Sequence, residues 1–218
     1  MLAVRSLQPE VDVVSDPRFH ELAALVRELA PDVGAPAVLE RWHELMSPKL
    51  VRPLADRLAT LLACAGQRLF AAIALDVGRA AFGDVALVTQ RSPYVRVHPP
   101  RRPDLAVPFH SDAWAGNPSP QRTIWVPLVE IHGPEGLWIA PADGPVDPAA
   151  RLDALAERWG PLARPVTLHR GEALVFGADV GHAAIAHEVN VTRFSVDWRV
   201  APADAKGRAP WRGRRLAG

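Results

Sequence analysis

The chain has 218 residues, 49% of them hydrophobic and 22% charged, with a formal net charge of +1. That length supports one domain with a substantial core, and the balanced charge excludes nucleic acid or a membrane surface as a general partner. A single cysteine, Cys64, rules out an internal disulfide and fits a reducing compartment.

Up to about residue 84 the pattern is helical. Asp16-Pro17 reads as a cap followed by a proline in the first turn, opening a helix over 19–30. Pro31 and Gly34 end it. Pro36 starts a second helix to about Met46, and Pro48 opens a longer helical segment to about Ala80, with Gly66 and Gly78 as its weak points. The apolar stretch 58–75 carries Gln67 and Arg68 at its middle, so a core helix is expected there and not a membrane span. Cys64 lies in that stretch and is expected to be a buried, inert thiol. No apolar leader follows Met1, since Asp12, Asp16 and Pro17 come early; the expected location is cytoplasmic.

Beyond residue 84 short alternating runs are punctuated by Pro and Gly. Strands are expected at 85–90, 94–98, 107–112, 123–131, 137–140, 166–169, 173–176 and 192–200, with one helix over 148–159. The expected organisation is a single domain, 1–218. A helical support (1–84) packs outside a β sandwich or barrel (85–200), and an arginine-rich tail (201–218) is frayed and solvated.

The chemistry begins at His110-Ser111-Asp112. In an extended strand residues two apart share a face, so His110 and Asp112 point the same way. An imidazole and a carboxylate on one spot are two thirds of a two-His-one-carboxylate facial metal site. Gly181-His182 supplies the third candidate ligand, after a turn and an apolar strand at 171–176. Period two also divides the last strand. Arg193, Ser195, Asp197 and Arg199 share one face, opposite Phe194, Val196, Trp198 and Val200. A strand exposed on one side would give the same pattern. A guanidinium shortly after a candidate metal histidine also suits a dicarboxylate, and Ser195 can add a hydrogen bond.

These pieces form a series: Arg96-Val97-His98-Pro99, Pro108-Phe109-His110-Ser111-Asp112-Ala113-Trp114, Ile124-Trp125-Val126-Pro127-Leu128, Gly136-Leu137-Trp138-Ile139-Ala140-Pro141, then His182 and Arg193-Phe194-Ser195. In order and spacing it resembles the Fe(II)/2-oxoglutarate-dependent dioxygenases, in particular the phytanoyl-CoA hydroxylase-like group. The resemblance covers roughly half the chain. It implies a mainly β fold, a double-stranded β-helix (jelly roll, cupin-like) with the N-terminal helices outside. It implies iron held by His110, Asp112 and His182 as the catalytic centre. It also implies 2-oxoglutarate anchored by Arg193 with Ser195 and lined by Trp125, and dioxygen as the oxidant, with succinate and carbon dioxide released.

His187 with Arg199 is a rival to His182 with Arg193; His182 stands at the usual distance from the Gly171-Glu172 turn. Where many relatives carry Ser-His, this chain has Ala142-Asp143, at a position that is not a ligand. Arg96, His98, Trp114, Asn117, Arg122 and Arg199 are candidate substrate-pocket residues and hint at a polar or anionic group. Trp114 and Trp138 are equally well read as ordinary core. Asp112 disfavours halogenation, which needs a small residue there. The expected partner is a small-molecule substrate. The alternatives are a cupin-type metal-dependent isomerase or lyase, and a non-catalytic jelly-roll binding domain.

Overall fold

The computed structural model describes residues 2–35, 38–141, 143–207 and 213–216. The chain opens with a hairpin that the helical pattern of the first third did not anticipate. Strand β1 (Ala3–Gln8) pairs antiparallel with β2 (Val11–Ser15), across a turn in which Glu10 takes φ 64°. The two strands differ in burial. β1 is exposed along nearly its whole length, whereas Val11, Val13 and Val14 of β2 are buried. Strand β1 therefore lacks the one-sided burial that makes a strand visible in a sequence.

Helix α1 (Pro17–Leu29) starts as its sequence dictates. The Asp16 carboxylate accepts from the Arg18 backbone N–H at 2.8 Å, and Pro17 fills the first turn. The expected second helix is only a short 3-10 turn at Leu39–Arg41 followed by α2 (Trp42–Leu45); Pro36 lies outside the described residues. The long helical segment breaks once, at Gly66, into α3 (Val51–Ala65) and α4 (Gln67–Phe82), with an 80° bend. Gly78 does not break α4. A Cβ there would lie 2.6 Å from Leu87 Cδ1, so its lack of a side chain lets the helix approach the sheet. No single helix among the described residues is long and apolar enough to cross a membrane. Cys64 is exposed, contrary to expectation: α3 buries Leu58 and Leu62, and a residue two past Leu62 turns about 200° to the opposite face.

The β region follows in order: β3 (Leu87–Gln90), β4 (Tyr94–His98), β5 (Val107–His110), β6 (Arg122–Pro127), β7 (Trp138–Ile139), helix α5 (Leu152–Trp159), β8 (Arg164–Pro165), β9 (Glu172–Gly177), β10 (His182–Ala184), β11 (Arg193–Pro202) and β12 (Gly213–Arg215). The expected strand at 166–169 is reduced to one bridge, Ile131 to Leu168. The basic end is not wholly frayed, since β12 pairs with β3; Arg208, Trp211 and Arg212 lie outside the described residues.

Two antiparallel sheets result. The larger runs β1-β2-β9-β6-β11-β3-β12, with β4 also paired to β11; the smaller runs β5-β10-β7-β8. The outer face of the large sheet packs on the helices. There Phe70 of α4 meets Trp198 edge-on at 4.8 Å, and Trp42 meets Phe194 at 5.2 Å. Its inner face looks across to the small sheet and carries polar side chains.

Candidate metal centre

Strand pairing brings the two histidines together. His110, the last residue of β5, is the direct register partner of His182, the first of β10, and their rings lie 4.3 Å apart between centroids. Asp112 arrives differently from the expected strand alternation. β5 stops at His110, and the chain turns, with Ala115 N–H donating to Ser111 O and Asn117 N–H to Asp112 O. A potential ligand atom of each of His110, Asp112 and His182 lies within 4.8 Å of the others, and among the described residues no other histidine, cysteine or carboxylate group of three does this. Gly181 makes the close turn before His182 feasible, because a Cβ there would sit 2.4 Å from the Trp159 ring.

Both imidazoles are aimed by the backbone. Nδ1 of His110 lies 2.9 Å from Pro108 O, and Nδ1 of His182 lies 3.0 Å from Val180 O. Each carbonyl fixes the tautomer with the proton on Nδ1, leaving the Nε2 lone pair free for a metal. Burial, reinforced by the neighbouring His110, pulls His182 down to about 3. Burial lowers His110 as well. Both rings are thus neutral near pH 7, as ligation requires.

Asp112 is buried and held from both sides. Oδ1 accepts from Arg199 Nη2 at 3.0 Å and Asn117 Nδ2 at 3.1 Å; Oδ2 accepts from Gln121 Nε2 at 2.9 Å and from the Thr123 hydroxyl. Burial alone would raise its pKa, but the Arg199 guanidinium and these donors hold the carboxyl ionised, well below the usual carboxylate range. Gln121 and Thr123 escaped the sequence reading. Their signal was a polar pair two residues apart at the start of an otherwise apolar strand.

A cavity between the sheets opens from this cluster towards β11. His110 and His182 line it together with Trp125, Arg193, Ser195, Arg199, Arg96 and His98. Arg193 is 1% exposed and Ser195 0%, so the alternative of a strand exposed on one side does not apply. Arg193 spends Nη1 on Glu135 O (2.9 Å) and Gly136 O (2.8 Å), but its Nε and Nη2, and the Ser195 hydroxyl, are buried without a partner among the described residues. Burial, with Arg96 nearby, pulls Arg193 down to about 9. Since a guanidinium stays protonated in proteins, that direction marks a buried cation short of an anion.

The remaining candidates separate. His187 Nε2 donates to His98 O at 3.2 Å, and His187 does not join the His110, Asp112 and His182 cluster; its proposed partner Arg199 is tied to Asp112 and Asp197. Asn117 supports Asp112. The Trp114 indole donates to Ala150 O at 2.9 Å and packs beside Phe109 and Trp159. Trp138 donates to Pro134 O. Arg122 pairs with Glu10 at 2.6 Å. Asn117, Trp114, Trp138 and Arg122 lie outside the cavity lining.

No protein-family model and no curated protein matches the sequence. Solved structures do. The non-heme alpha ketoglutarate dependent epimerase SnoN from nogalamycin biosynthesis is 17% identical over 92% of this chain and 80% of its own, with a TM-score of 0.55. The non-heme monooxygenase ThoJ is 16% identical over 94% and 77%, at 0.57. EctD from S. alaskensis is 18% identical over 88% and 73%, at 0.52. SnoN is also known in complex with Fe3+, alpha ketoglutarate and nogalamycin RO, a structure 20% identical to this chain over 92% and 82%, at 0.55. The protein has their fold, a mainly β jelly roll with N-terminal helices.

Proposed function

We propose that the protein is a non-haem Fe(II)/2-oxoglutarate-dependent oxygenase of the phytanoyl-CoA hydroxylase-like group, acting on a small-molecule metabolite in the cytoplasm as a single domain, 1–218. The observation that carries this reading is the meeting of two complementary arrangements at one cavity. His110 and His182 offer two Nε2 lone pairs beside the ionised Asp112 carboxylate, and Arg193 and Ser195 offer buried donors that no described residue satisfies.

The residues fit the groups that would complete them. Two imidazole nitrogens and one carboxylate oxygen suit Fe(II) and leave coordination positions open. A guanidinium edge and a hydroxyl suit the distal carboxylate of 2-oxoglutarate. Bound together, iron and 2-oxoglutarate supply oxidising power from dioxygen, with release of succinate and carbon dioxide. This chain's own residues do the rest. His110 and His182 keep their Nδ1 protons on backbone carbonyls, so Nε2 stays unprotonated. Arg199, Gln121, Asn117 and Thr123 fix the Asp112 carboxylate. Trp125, Phe176 and Leu137 give the cavity apolar walls, which exclude water and strengthen the ionic contacts inside.

Hydroxylation is the simplest outcome, and Asp112 argues against halogenation. The chain's structural neighbours include an epimerase and a monooxygenase, so one scaffold serves different outcomes and the fold alone does not choose among them. The test is iron-dependent succinate formation: Asp112→Ala abolishes it, and full turnover in that variant sinks the assignment. A cupin-type isomerase or lyase would keep the metal and ignore 2-oxoglutarate, and a binding domain would hold no metal.

A further inference from the structure

The cavity walls carry more positive charge than the co-substrate anchor explains. Three guanidinium groups face it, those of Arg96, Arg193 and Arg199, and Asp197 is the one carboxylate in its lining. Arg199 divides its donors between Asp112 (3.0 Å) and Asp197 (2.8 Å). Asp197 is in turn divided between Arg199 and Arg96, whose Nε sits 2.9 Å from Asp197 Oδ1. Arg96 is therefore left with half a counter-ion. Its other guanidinium N–H groups have no partner among the described residues, and 36% of its side chain is exposed.

Position makes that deficit usable. On β4, Arg96 is the register partner of Ser195, and His98 that of Arg193, so Arg96 lies directly across from Ser195 and one pleat, about 7 Å, along the sheet from the level of Arg193. The guanidinium is also preorganised: Asp197 grips its Nε, and the Tyr94 ring lies 4.9 Å below it. Finally, Arg96 lines a second, outer cavity beneath α3, beside Arg52 and Asp56. It therefore borders both cavities.

We propose that Arg96 is a second anion subsite, which takes a carboxylate other than the one held by Arg193 and Ser195. The inference rests on the oxygenase reading of the site. The carboxylate has two chemical sources, the keto-acid end of 2-oxoglutarate or an acid group on the oxidised substrate.

The test uses Fe(II)-loaded protein without oxygen, as wild type, Arg96→Gln, Arg96→Lys and Arg193→Gln. Calorimetric titration with 2-oxoglutarate comes first. Then benzoate, 1-naphthoate and their primary amides are titrated into protein saturated with 2-oxoglutarate. If the source is the co-substrate, Arg96→Gln weakens 2-oxoglutarate binding about 10- to 100-fold, the range for one charged hydrogen-bonding group. If it is the substrate, 2-oxoglutarate binding is unchanged, and wild type binds the acids over the amides with a preference that Arg96→Gln abolishes. Asp197 keeps Arg199 in the Gln variant, so folding is expected to survive. Arg96→Lys, which retains the charge without the fork, shows the same loss in smaller measure and replaces the Gln variant if that one does not fold. Wild-type behaviour of Arg96→Gln in both titrations overturns the proposal, including the case where wild type prefers no acid. If Arg193→Gln weakens 2-oxoglutarate and Arg96→Gln changes nothing, only this inference fails; if wild-type protein binds no 2-oxoglutarate, the oxygenase reading fails with it.

Discussion

The two faces of β11 are equally buried and chemically opposite. On one, Phe194, Val196, Trp198 and Val200 are at most 1% exposed and pack against the helices; on the other, Arg193, Ser195, Asp197 and Arg199 are at most 5% exposed and line the cavity. The apolar face gains free energy from leaving water. The polar face loses it, because buried charges are costly unless paired. Asp197 and Arg199 are paired within the chain, while Arg193 and Ser195 are not. The difference lies in the counter-charge: Arg199 has carboxylates within the chain and steadies the site, whereas the Arg193 guanidinium, with Ser195 beside it, meets the cavity with no carboxylate in salt-bridge contact among the described residues.

The largest expected effect breaks the apolar side. Trp198→Ala removes the indole that meets Phe70 and should cost about 3–5 kcal/mol of stability, measured by chemical denaturation, with metal affinity of the folded fraction unchanged. A loss below 1 kcal/mol would show that this face is not what anchors the sheet to the helices. On the polar side, 2-oxoglutarate at 100 times its dissociation constant should stabilise the iron-loaded wild type by about 2.7 kcal/mol. Arg193→Gln should show almost none of that gain at the same concentration, and an equal gain would remove Arg193 from the anchor.

Acid titration of the metal-free protein sharpens the comparison further. His182 sits at about 3 in the fold, against about 6.5 in an unfolded chain. The unfolded state takes up the proton first, so stability is complete above about pH 6.5 and falls as pH drops from there towards 3. The slope is at most about 1.4 kcal/mol per pH unit for this group. His182→Gln should flatten the curve over that interval; an unchanged slope would contradict a buried neutral imidazole. The smallest effect belongs to Cys64→Ser on the exposed face of α3, expected within about 0.5 kcal/mol of wild type in the same denaturation assay.

The site was legible in the sequence where residue type alone carries the chemistry. His110, Asp112, His182 and Arg193 are strong ligating or anion-binding groups at telling intervals, and the β character of the second half followed from its alternation. Long-range pairing was not legible. Arg199 could be placed on the inward face of β11, but its partner Asp112 lies 87 residues away, and only the folded chain brings them within 3 Å. The turn that delivers Asp112 was mistaken for strand because His-x-Asp fits both geometries. The β1–β2 hairpin was missed because β1 is held by backbone pairing and carries no buried face. Cys64 was misplaced because a generally apolar helix conceals which of its faces is wet.

The central claim is that the His110, Asp112 and His182 cluster and the Arg193–Ser195 donors serve one cavity and bind their ligands together. Anaerobic addition of 2-oxoglutarate to the Fe(II)-loaded protein tests it most directly through the visible metal-to-ligand charge-transfer band. The account predicts a band in the wild type, lost in His182→Ala, and reached only at much higher 2-oxoglutarate in Arg193→Gln. No band in the wild type, or a band that neither substitution alters, would contradict it.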